Sequence, residues 1–245
     1  MHRELSDDNQ RHYESDGKLT EPKKKKTFRD AHVTLSCMSI RPYLFVILLS
    51  TLIMSTRLPA AYGLTLRRLT YNSLNDWATA ISGSGNRVAF VSPVGPSATS
   101  EVYVINTDGT GLRRLTYNSV NEWAGGISSD GYRIVFHSAT GPGGTGEIYV
   151  INRDGSGLRR LTFNSVDDFA AAISGDGTRV LFGCRTGPGA TYEVYVINAD
   201  GTGLQQLTYN SVDDWACDIN HLGNQVVFTS HSGPGGTREV YVITL

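Results

Sequence analysis

The chain has 245 residues, and its 22 Lys plus Arg nearly balance its 23 Asp plus Glu. The charge is unevenly distributed, because every lysine lies within the first 26 residues. From Leu64 onward there are 12 arginines and 16 acidic residues, a formal net charge of −4. This acidic balance argues against a nucleic-acid partner, which would require a basic surface.

Residues 1–63 form a leader that differs from the rest of the chain. The apolar run Tyr43–Met54 is too short to span a bilayer comfortably and is typical of a signal-peptide core. The charged segment before it is longer than a signal peptide needs, which favours translation from Met38 and cleavage after Gly63. We therefore expect an exported protein, periplasmic or secreted. The alternative is an uncleaved anchor formed by residues 43–54, which would be the chain's sole contact with a membrane.

The remainder, residues 64–245, consists of four copies of a 46-residue unit. The units cover residues 66–111, 112–157, 158–203 and 204–245. Each has an aromatic residue at the same position: Trp77, Trp123, Phe169 and Trp215. Alignment needs no gap, so we expect one domain built by stacking one structural unit.

Each unit has the pattern of four short strands. In the second unit we predict strands at Leu112–Thr116, Trp123–Ser128, Arg133–Ser138 and Glu147–Asn152. Asp-Gly pairs between the strands supply the backbone angles that tight hairpins need. Antiparallel units of this size are typical of the blades of a β-propeller. The fold class we predict is therefore an all-β, four-bladed β-propeller.

The strand that follows the repeated aromatic residue is predicted to be the innermost of each blade. It carries small residues, such as the Ala-Gly-Gly run that follows Trp123, and only small side chains fit where strands converge on an axis. The aromatic residue itself is predicted to pack against the adjacent blade, together with the VYVI and IVF runs.

The two ends of the repeat region suggest how the ring closes. An isolated LRRLT segment, Leu66–Thr70, precedes the first unit, and the last unit finishes at Glu239–Leu245 without an outer strand of its own. We predict that the first segment completes the last blade and so removes an open sheet edge. A homodimer in which two chains form one eight-bladed ring is the alternative.

The repeat WA..ISxDGxRIxFxS, followed by EIYVINxDGSGLRRLT, resembles the propeller repeat of the TolB-type, or WD40-like, proteins. The resemblance covers Leu66 to Leu245. Where that family commonly has SPDG, this chain has Ser129-Asp130-Gly131 without the proline. The resemblance implies the propeller fold and a role in docking to a protein partner at the bacterial envelope. It does not extend to six blades or to a separate N-terminal domain.

The loop before each inner strand is rich in acidic residues. Asp76, Glu122, Asp168 and Asp214 occupy equivalent positions, with Asp167 and Asp213 next to two of them. If they form a ring near the axis, their oxygens could bind Ca²⁺ or Mg²⁺. The alternative is that these side chains hydrogen-bond the loop backbone and stay solvated, with no cofactor bound.

A few residues depart from the repeat and are candidates for a unique site: His137, Arg185 and His231. No nucleophile–base motif accompanies them, so the sequence favours a non-enzymatic protein. Cys184 and Cys217 occupy different repeat positions and are predicted to be independent core residues.

These observations predict a scaffold that binds a protein, a peptide or another ligand through an acidic upper face. The cationic patch expected on the partner follows from the acidic balance. The alternative is a carbohydrate-active enzyme similar to polysaccharide lyases, or the accessory propeller of a hydrolase, with the three departing residues at its site.

Overall fold

The computed structural model describes residues 65–94 and 98–245. Its regular elements are β-strands, with one-turn 3₁₀ helices at Pro142–Gly144 and Pro234–Gly236. The predicted start at Met38, the signal peptide and the membrane anchor lie outside the described residues and stay predictions. Within the described part, no helix is long and apolar enough to cross a membrane.

The strands form four antiparallel sheets in chain order, which we call blades 1 to 4. Blade 1 contains β1 (Trp77–Ile81), β2 (Arg87–Ser92), β3 (Glu101–Asn106) and β4 (Arg113–Arg114). Blade 2 contains β5 (Glu122–Ile127), β6 (Arg133–Ser138), β7 (Glu147–Asn152) and β8 (Arg159–Arg160). Blade 3 contains β9 (Asp168–Ile173), β10 (Arg179–Cys184), β11 (Glu193–Asn198) and β12 (Gln205–Gln206). Blade 4 contains β13 (Asp214–Ile219), β14 (Gln225–Ser230) and β15 (Glu239–Thr244).

The predicted strands of the second unit are largely confirmed, but the outer strand is shorter than expected. β4 pairs with β3 only at Arg113 and Arg114. The chain then leaves the regular ladder, because the hydroxyl of Thr116 accepts the hydrogen bond of the Val102 amide at 2.9 Å. A side chain thus replaces a backbone acceptor, and the strand ends there.

The predicted Asp-Gly turn between the second and third strands of the unit, β5 and β6, is confirmed. The Asp130 carboxylate accepts hydrogen bonds from the Ser128 hydroxyl at 2.6 Å and from the Tyr132 amide at 2.9 Å. Gly131 adopts a φ of 70°, a conformation that costs glycine little. Because the side chain of Asp130 fixes the turn, the register of the hairpin is fixed as well.

The hydrophobic core lies between neighbouring blades. Val102 and Val104 of blade 1 are buried against Ile134 and Phe136 of blade 2. Equivalent clusters join blade 2 to blade 3 and blade 3 to blade 4. Each fully buried side chain of this size contributes about 1.5–3 kcal/mol, so a blade is stabilised mainly by the next one.

The innermost strands pack closely and need small residues, as predicted. A Cβ built on Gly125 of β5 would lie 3.0 Å from both the Cβ and the carbonyl oxygen of Ala170 in β9. The Cβ of a residue at Gly126 would lie 3.2 Å from the backbone nitrogen of Ile173. The composition of this strand is therefore set by the distance between two backbones.

The predicted closure by the N-terminal segment is not seen in the described residues. Leu66–Thr70 belongs to no strand, and β15 pairs only with β14. The segment lies instead beside blade 1, where the Arg67 guanidinium donates a hydrogen bond to the carbonyl oxygen of Asp108 at 2.5 Å. Arg159 makes the same contact with Asp200 two blades later. The segment thus occupies the place of an outer strand that precedes blade 1.

The two cysteines of the repeat region are unpaired, as predicted. Cys184 is buried at the end of β10, and burial, followed by the hydrogen bond to Asp168, raises the pKa of its thiol. Cys217 is exposed on β13, so the prediction that it is a core residue is wrong. It is exposed because, among the described residues, no blade covers that side of β13.

We expect Gly125→Val to lower the free energy of unfolding by about 1–3 kcal/mol, since the added side chain must push two inner strands apart. Urea denaturation monitored by tryptophan fluorescence would measure the change. Gly183→Val is the matched control, because a Cβ at Gly183 meets nothing within 4 Å and its φ is not positive. Equal stability of the two variants would contradict the close packing of the inner strands.

Candidate functional site

The predicted ring of carboxylates is turned into the blades. Glu122, Asp168 and Asp214 are buried, and each accepts a hydrogen bond from the asparagine four residues earlier, at 2.5, 2.8 and 2.7 Å. Asp76 has the same bond from Asn72 at 3.0 Å and is partly buried. These carboxylates therefore fix their own loops through asparagine side chains, and Glu122, Asp168 and Asp214 are buried where the sequence predicted solvated side chains bonded to the backbone.

A second buried carboxylate lies close to each of the three buried positions, Glu122, Asp168 and Asp214. Glu101 on β3 accepts a hydrogen bond from the Asn118 amide at 3.2 Å and forms an ion pair with Arg114 at 3.0 Å. Glu147 forms the equivalent pair with Arg160 at 2.9 Å. Together these bonds tie the outer strand of one blade to the loop that leads into the next. We call this arrangement the carboxylate clasp.

The environment of the clasp disfavours charge. Desolvation by burial raises the pKa of Glu122, and the neighbouring Glu101 carboxylate adds to the rise. Desolvation, with Glu147 nearby, raises the pKa of Asp168 in the same way. The residues that the structure describes contain no group of three or more His, Cys, Asp or Glu side chains placed to hold a metal ion. Binding of Ca²⁺ or Mg²⁺ stays a prediction.

Asp167 and Asp213 lie at the surface and hold the preceding loop. The Asp167 carboxylate accepts a hydrogen bond from the Gly146 amide at 3.1 Å, and that of Asp213 accepts one from the Tyr192 amide at 3.0 Å. Both residues are partly exposed. They connect adjacent blades and keep some of their oxygen surface open to solvent.

A continuous row of aromatic rings runs from blade 2 to blade 4 beside these loops. We call it the aromatic array; its members are Trp123, His137, Phe169, Tyr192 and Trp215. The successive ring centroids are 5.0, 5.1, 5.4 and 4.6 Å apart. The distances are those of favourable aromatic pairs, so the rings support one another.

The repeated aromatic residues are not core residues, contrary to the prediction. Trp123 is 44% exposed, Phe169 39% and Trp215 37%, and Trp77 of blade 1 is 52% exposed. In blades 2 to 4 the aromatic residue is the second residue of the inner strand and follows a buried carboxylate, and the pleat directs it to the opposite face. The sequence signal for this surface was the carboxylate directly before each aromatic residue, because neighbouring residues in a strand point to opposite faces.

His137 is the part of the array that is specific to blade 2. Its imidazole stacks on Trp123 and meets the edge of Phe169 in the next blade. Burial lowers its pKa to about 4, although the nearby Asp167 carboxylate acts in the opposite direction. The ring is therefore neutral at pH 7, and it bridges two blades as an aromatic group.

The other two departing residues do not join His137 in a catalytic arrangement. Arg185 donates from Nε to the carbonyl oxygen of Ala190 at 2.8 Å, with its guanidinium 5.9 Å from the ring centre of Tyr192. His231 accepts a hydrogen bond from Arg238 at 2.7 Å. In the described residues no hydrogen bond or ion pair links His137, Arg185 and His231 to one another.

One cavity among the described residues lies away from the array. It has a volume of about 430 Å³ between blades 2 and 3, and its lining includes Arg133, Arg159 and Asp200. A smaller one of about 280 Å³ recurs between blades 1 and 2, lined by Arg87, Arg113 and equivalent neighbours. Because the cavity recurs at the same repeat position, it is a property of the blade interface and does not mark a unique site.

The low pKa of His137 makes stability depend on pH. A histidine whose pKa falls from 6.5 in the unfolded chain to about 4 in the folded state stabilises the fold above pH 6.5 and loses this contribution as the pH falls. We expect wild type to lose about 2 kcal/mol more than His137→Gln between pH 7 and pH 5. Urea denaturation at both pH values measures this, and parallel losses would contradict burial of a neutral imidazole.

Comparisons with known proteins show which fold the chain has. No family model and no curated protein matches the chain. Among solved structures, it is similar to a putative TolB from Agrobacterium tumefaciens, with 21% identity and a TM-score of 0.55 over 67% of this chain and 60% of that one. TolB from Acinetobacter baumannii is 23% identical, with a TM-score of 0.54 over 75% of this chain and 44% of that one.

A puromycin hydrolase structure is also similar, with 15% identity and a TM-score of 0.51 over 71% of this chain and 28% of that one. The chain thus spans 60% or less of the length of these three structures. At such identities the likeness concerns architecture, and it agrees with the antiparallel sheets described above. The chain has the fold of a TolB-like β-propeller.

Proposed function

We propose that the protein is a binding module whose contact surface is the aromatic array. The observation that carries this proposal is the row of ring contacts from Trp123 to Trp215, with its tryptophans and Phe169 more than a third exposed. Monomeric proteins seldom expose contiguous apolar groups without a use for them. Tyr and Trp are also the residues that most often dominate binding energy at interfaces.

The surroundings of the array favour an extended peptide segment with basic residues. Asp167 and Asp213 border the rings and supply negative charge, and the described chain is acidic as a whole. A guanidinium or ammonium group over an aromatic face is attracted by the ring, and nearby carboxylates strengthen that attraction. The ligand class we propose is therefore a protein or peptide with Arg or Lys side chains.

The acidic upper face predicted from the sequence contributes less directly to ligand contact than expected. Glu122, Asp168 and Asp214 are buried, so they cannot contact a ligand and serve instead to hold the loops in place. The array stands on those loops and the adjoining strand ends, and its geometry is thereby fixed before a partner arrives. Such preorganisation lowers the entropic cost of binding.

Export to the periplasm or the exterior remains part of the proposal, based on the composition of the leader. The resemblance of the repeat to TolB-type proteins favours an envelope role, whereas the likeness to the TolB structures concerns fold. An exported location would present the array to envelope or extracellular proteins. N-terminal sequencing of the exported protein tests this point, and a first residue near Leu64 would support cleavage.

A catalytic role is the second candidate, because a puromycin hydrolase contains a similar propeller. His137, Arg185 and His231 would be its residues, and they are separated in three blades and bonded to other groups. A carbohydrate-active enzyme would cleave pectic oligomers, and an accessory propeller would not. Incubation of the protein with pectic oligomers and small peptides, with His137→Ala/His231→Ala as control, distinguishes the two.

The binding proposal predicts that a random peptide library selected on the purified protein yields sequences rich in Arg or Lys. Titration calorimetry with the selected peptides should show at least a tenfold loss of affinity for Trp123→Ala and for Phe169→Ala, the expected size of a lost aromatic hot spot.

Phe163→Ala is the matched control for Phe169→Ala. Phe163 is 74% exposed, lies outside the array and stacks only under Arg160. Its removal should leave affinity unchanged. Equal losses in the two phenylalanine variants, or a selection without basic residues, would contradict the array as a site for basic peptides.

A further inference from the structure

Blade 4 exposes an apolar face that is covered in every other blade. Val240 is 72% exposed and Val242 64%, whereas the equivalent residues of blade 3, Val194 and Val196, are 0% and 3% exposed. Those residues of blade 3 are buried by the first two strands of blade 4. In the described residues no such neighbour lies on blade 4, so β15 is left with an open edge and an open face.

Blade 1 exposes the inner part of the opposite, complementary face, although Phe90, the equivalent of Phe136 on that face, is already buried. Ile81 is 59% exposed, whereas Ile127 and Ile173, its equivalents in blades 2 and 3, are buried against the preceding blade. Blade 1 also carries the LRRLT segment Leu66–Thr70, whose sequence is identical to Leu112–Thr116, the segment that begins with the outer strand of blade 1.

We infer that two copies of this chain close one eight-bladed ring, blade 1 of each copy packing on blade 4 of the other. The same interface is already made three times inside the chain, between successive blades. The faces that would meet between copies carry the residue types that meet in those three cases. Such an interface joins two different surfaces of the chain. It closes into a ring of two copies when one copy is rotated by half a turn relative to the other.

The repeat specifies the contacts between the copies. Within the chain, Val104 pairs with Arg113, and Glu101 forms an ion pair with Arg114. Shifted by whole repeats, these become Val242 with Arg67 and Glu239 with Arg68. All four side chains are present in the sequence. Leu66–Thr70 of one copy would then be the fourth strand of blade 4 in the other.

The blade 4 face departs from the repeat at Asp218. Blades 2 and 3 have Gly126 and Ala172 at this position, and both are buried. The Asp218 carboxylate accepts a hydrogen bond from the Ile219 amide at 2.8 Å, so it has a partner within its own strand. A covered face would require donors from the opposing blade for the remaining acceptor positions of Asp218, because one hydrogen bond does not offset the burial of a carboxylate.

Closure within one chain would use the same two faces, so the experiment must separate the two arrangements. Opposed residues on antiparallel strands have Cα atoms about 4.5–5.5 Å apart, within the range for a disulfide. The variant Arg67→Cys/Val242→Cys, made in the full chain with Cys37→Ser and Cys217→Ser, places two cysteines at the inferred pair. Cys184 is buried and is kept.

Non-reducing gel electrophoresis after oxidation reads out the result. The inference predicts a covalent dimer held by two disulfides, while the Val242→Cys single variant in the same background stays mostly uncrosslinked. A crosslinked monomer would show closure within one chain and overturn the inference. Absence of crosslinking, or a ladder of higher oligomers, would overturn it as well.

Native mass spectrometry of the full chain supplies an independent test. The intact protein should be a dimer, and Val240→Asp/Val242→Asp should convert it to a monomer. Leu204→Asp is the matched control, because Leu204 is 59% exposed and lies outside both end faces. A monomeric wild type, or a dimer that survives the double substitution, would contradict the inference.

Discussion

The structure depends on the burial of one blade's apolar face by the next. Val102 and Val104 are covered by residues of blade 2, and the equivalent valines of blade 3 by residues of blade 4. No single sheet encloses a core of its own, so the free energy of folding is shared between neighbours, as in other repeat proteins. Each end of the row therefore has a face that needs a partner, and this follows directly from how the interior is stabilised.

The carboxylate clasp supplies directional bonds between neighbouring blades, which apolar packing alone does not. The Glu101–Arg114 pair and the Asn118–Glu122 bond join an outer strand, a loop and the next inner strand. Groups buried in this way are costly unless they are bonded, so the arrangement tolerates few alternatives. The same bonds hold the loops beside which the aromatic array stands, so the element that orders the fold also orders the proposed binding surface.

Much of the fold could be predicted because the period is free of gaps and the turns have a recognisable chemistry. The strands Arg133–Ser138 and Glu147–Asn152 have the predicted bounds. The site was harder to predict, because the sequence does not reveal which way a side chain points at the start of a strand. Glu122 was expected to face the solvent and Trp123 the core, and the reverse is found. A carboxylate that accepts a hydrogen bond from an asparagine four residues earlier can be buried as readily as an aliphatic side chain.

The central claim is that every apolar blade face is covered, those at the two ends by a second copy. Amide hydrogen exchange at Val240 and Val242 of the purified protein is a direct test. The Val194 amide, equivalent to that of Val240, donates a hydrogen bond to the Thr208 hydroxyl at 2.9 Å, on the outer side of its strand. By the repeat, the amides of Val240 and Val242 therefore point to the open edge of β15. With a second copy in place, we expect exchange at Val240 to be as slow as at Val194. Exchange at Val240 as fast as in an unfolded chain, with Val194 protected, would contradict it.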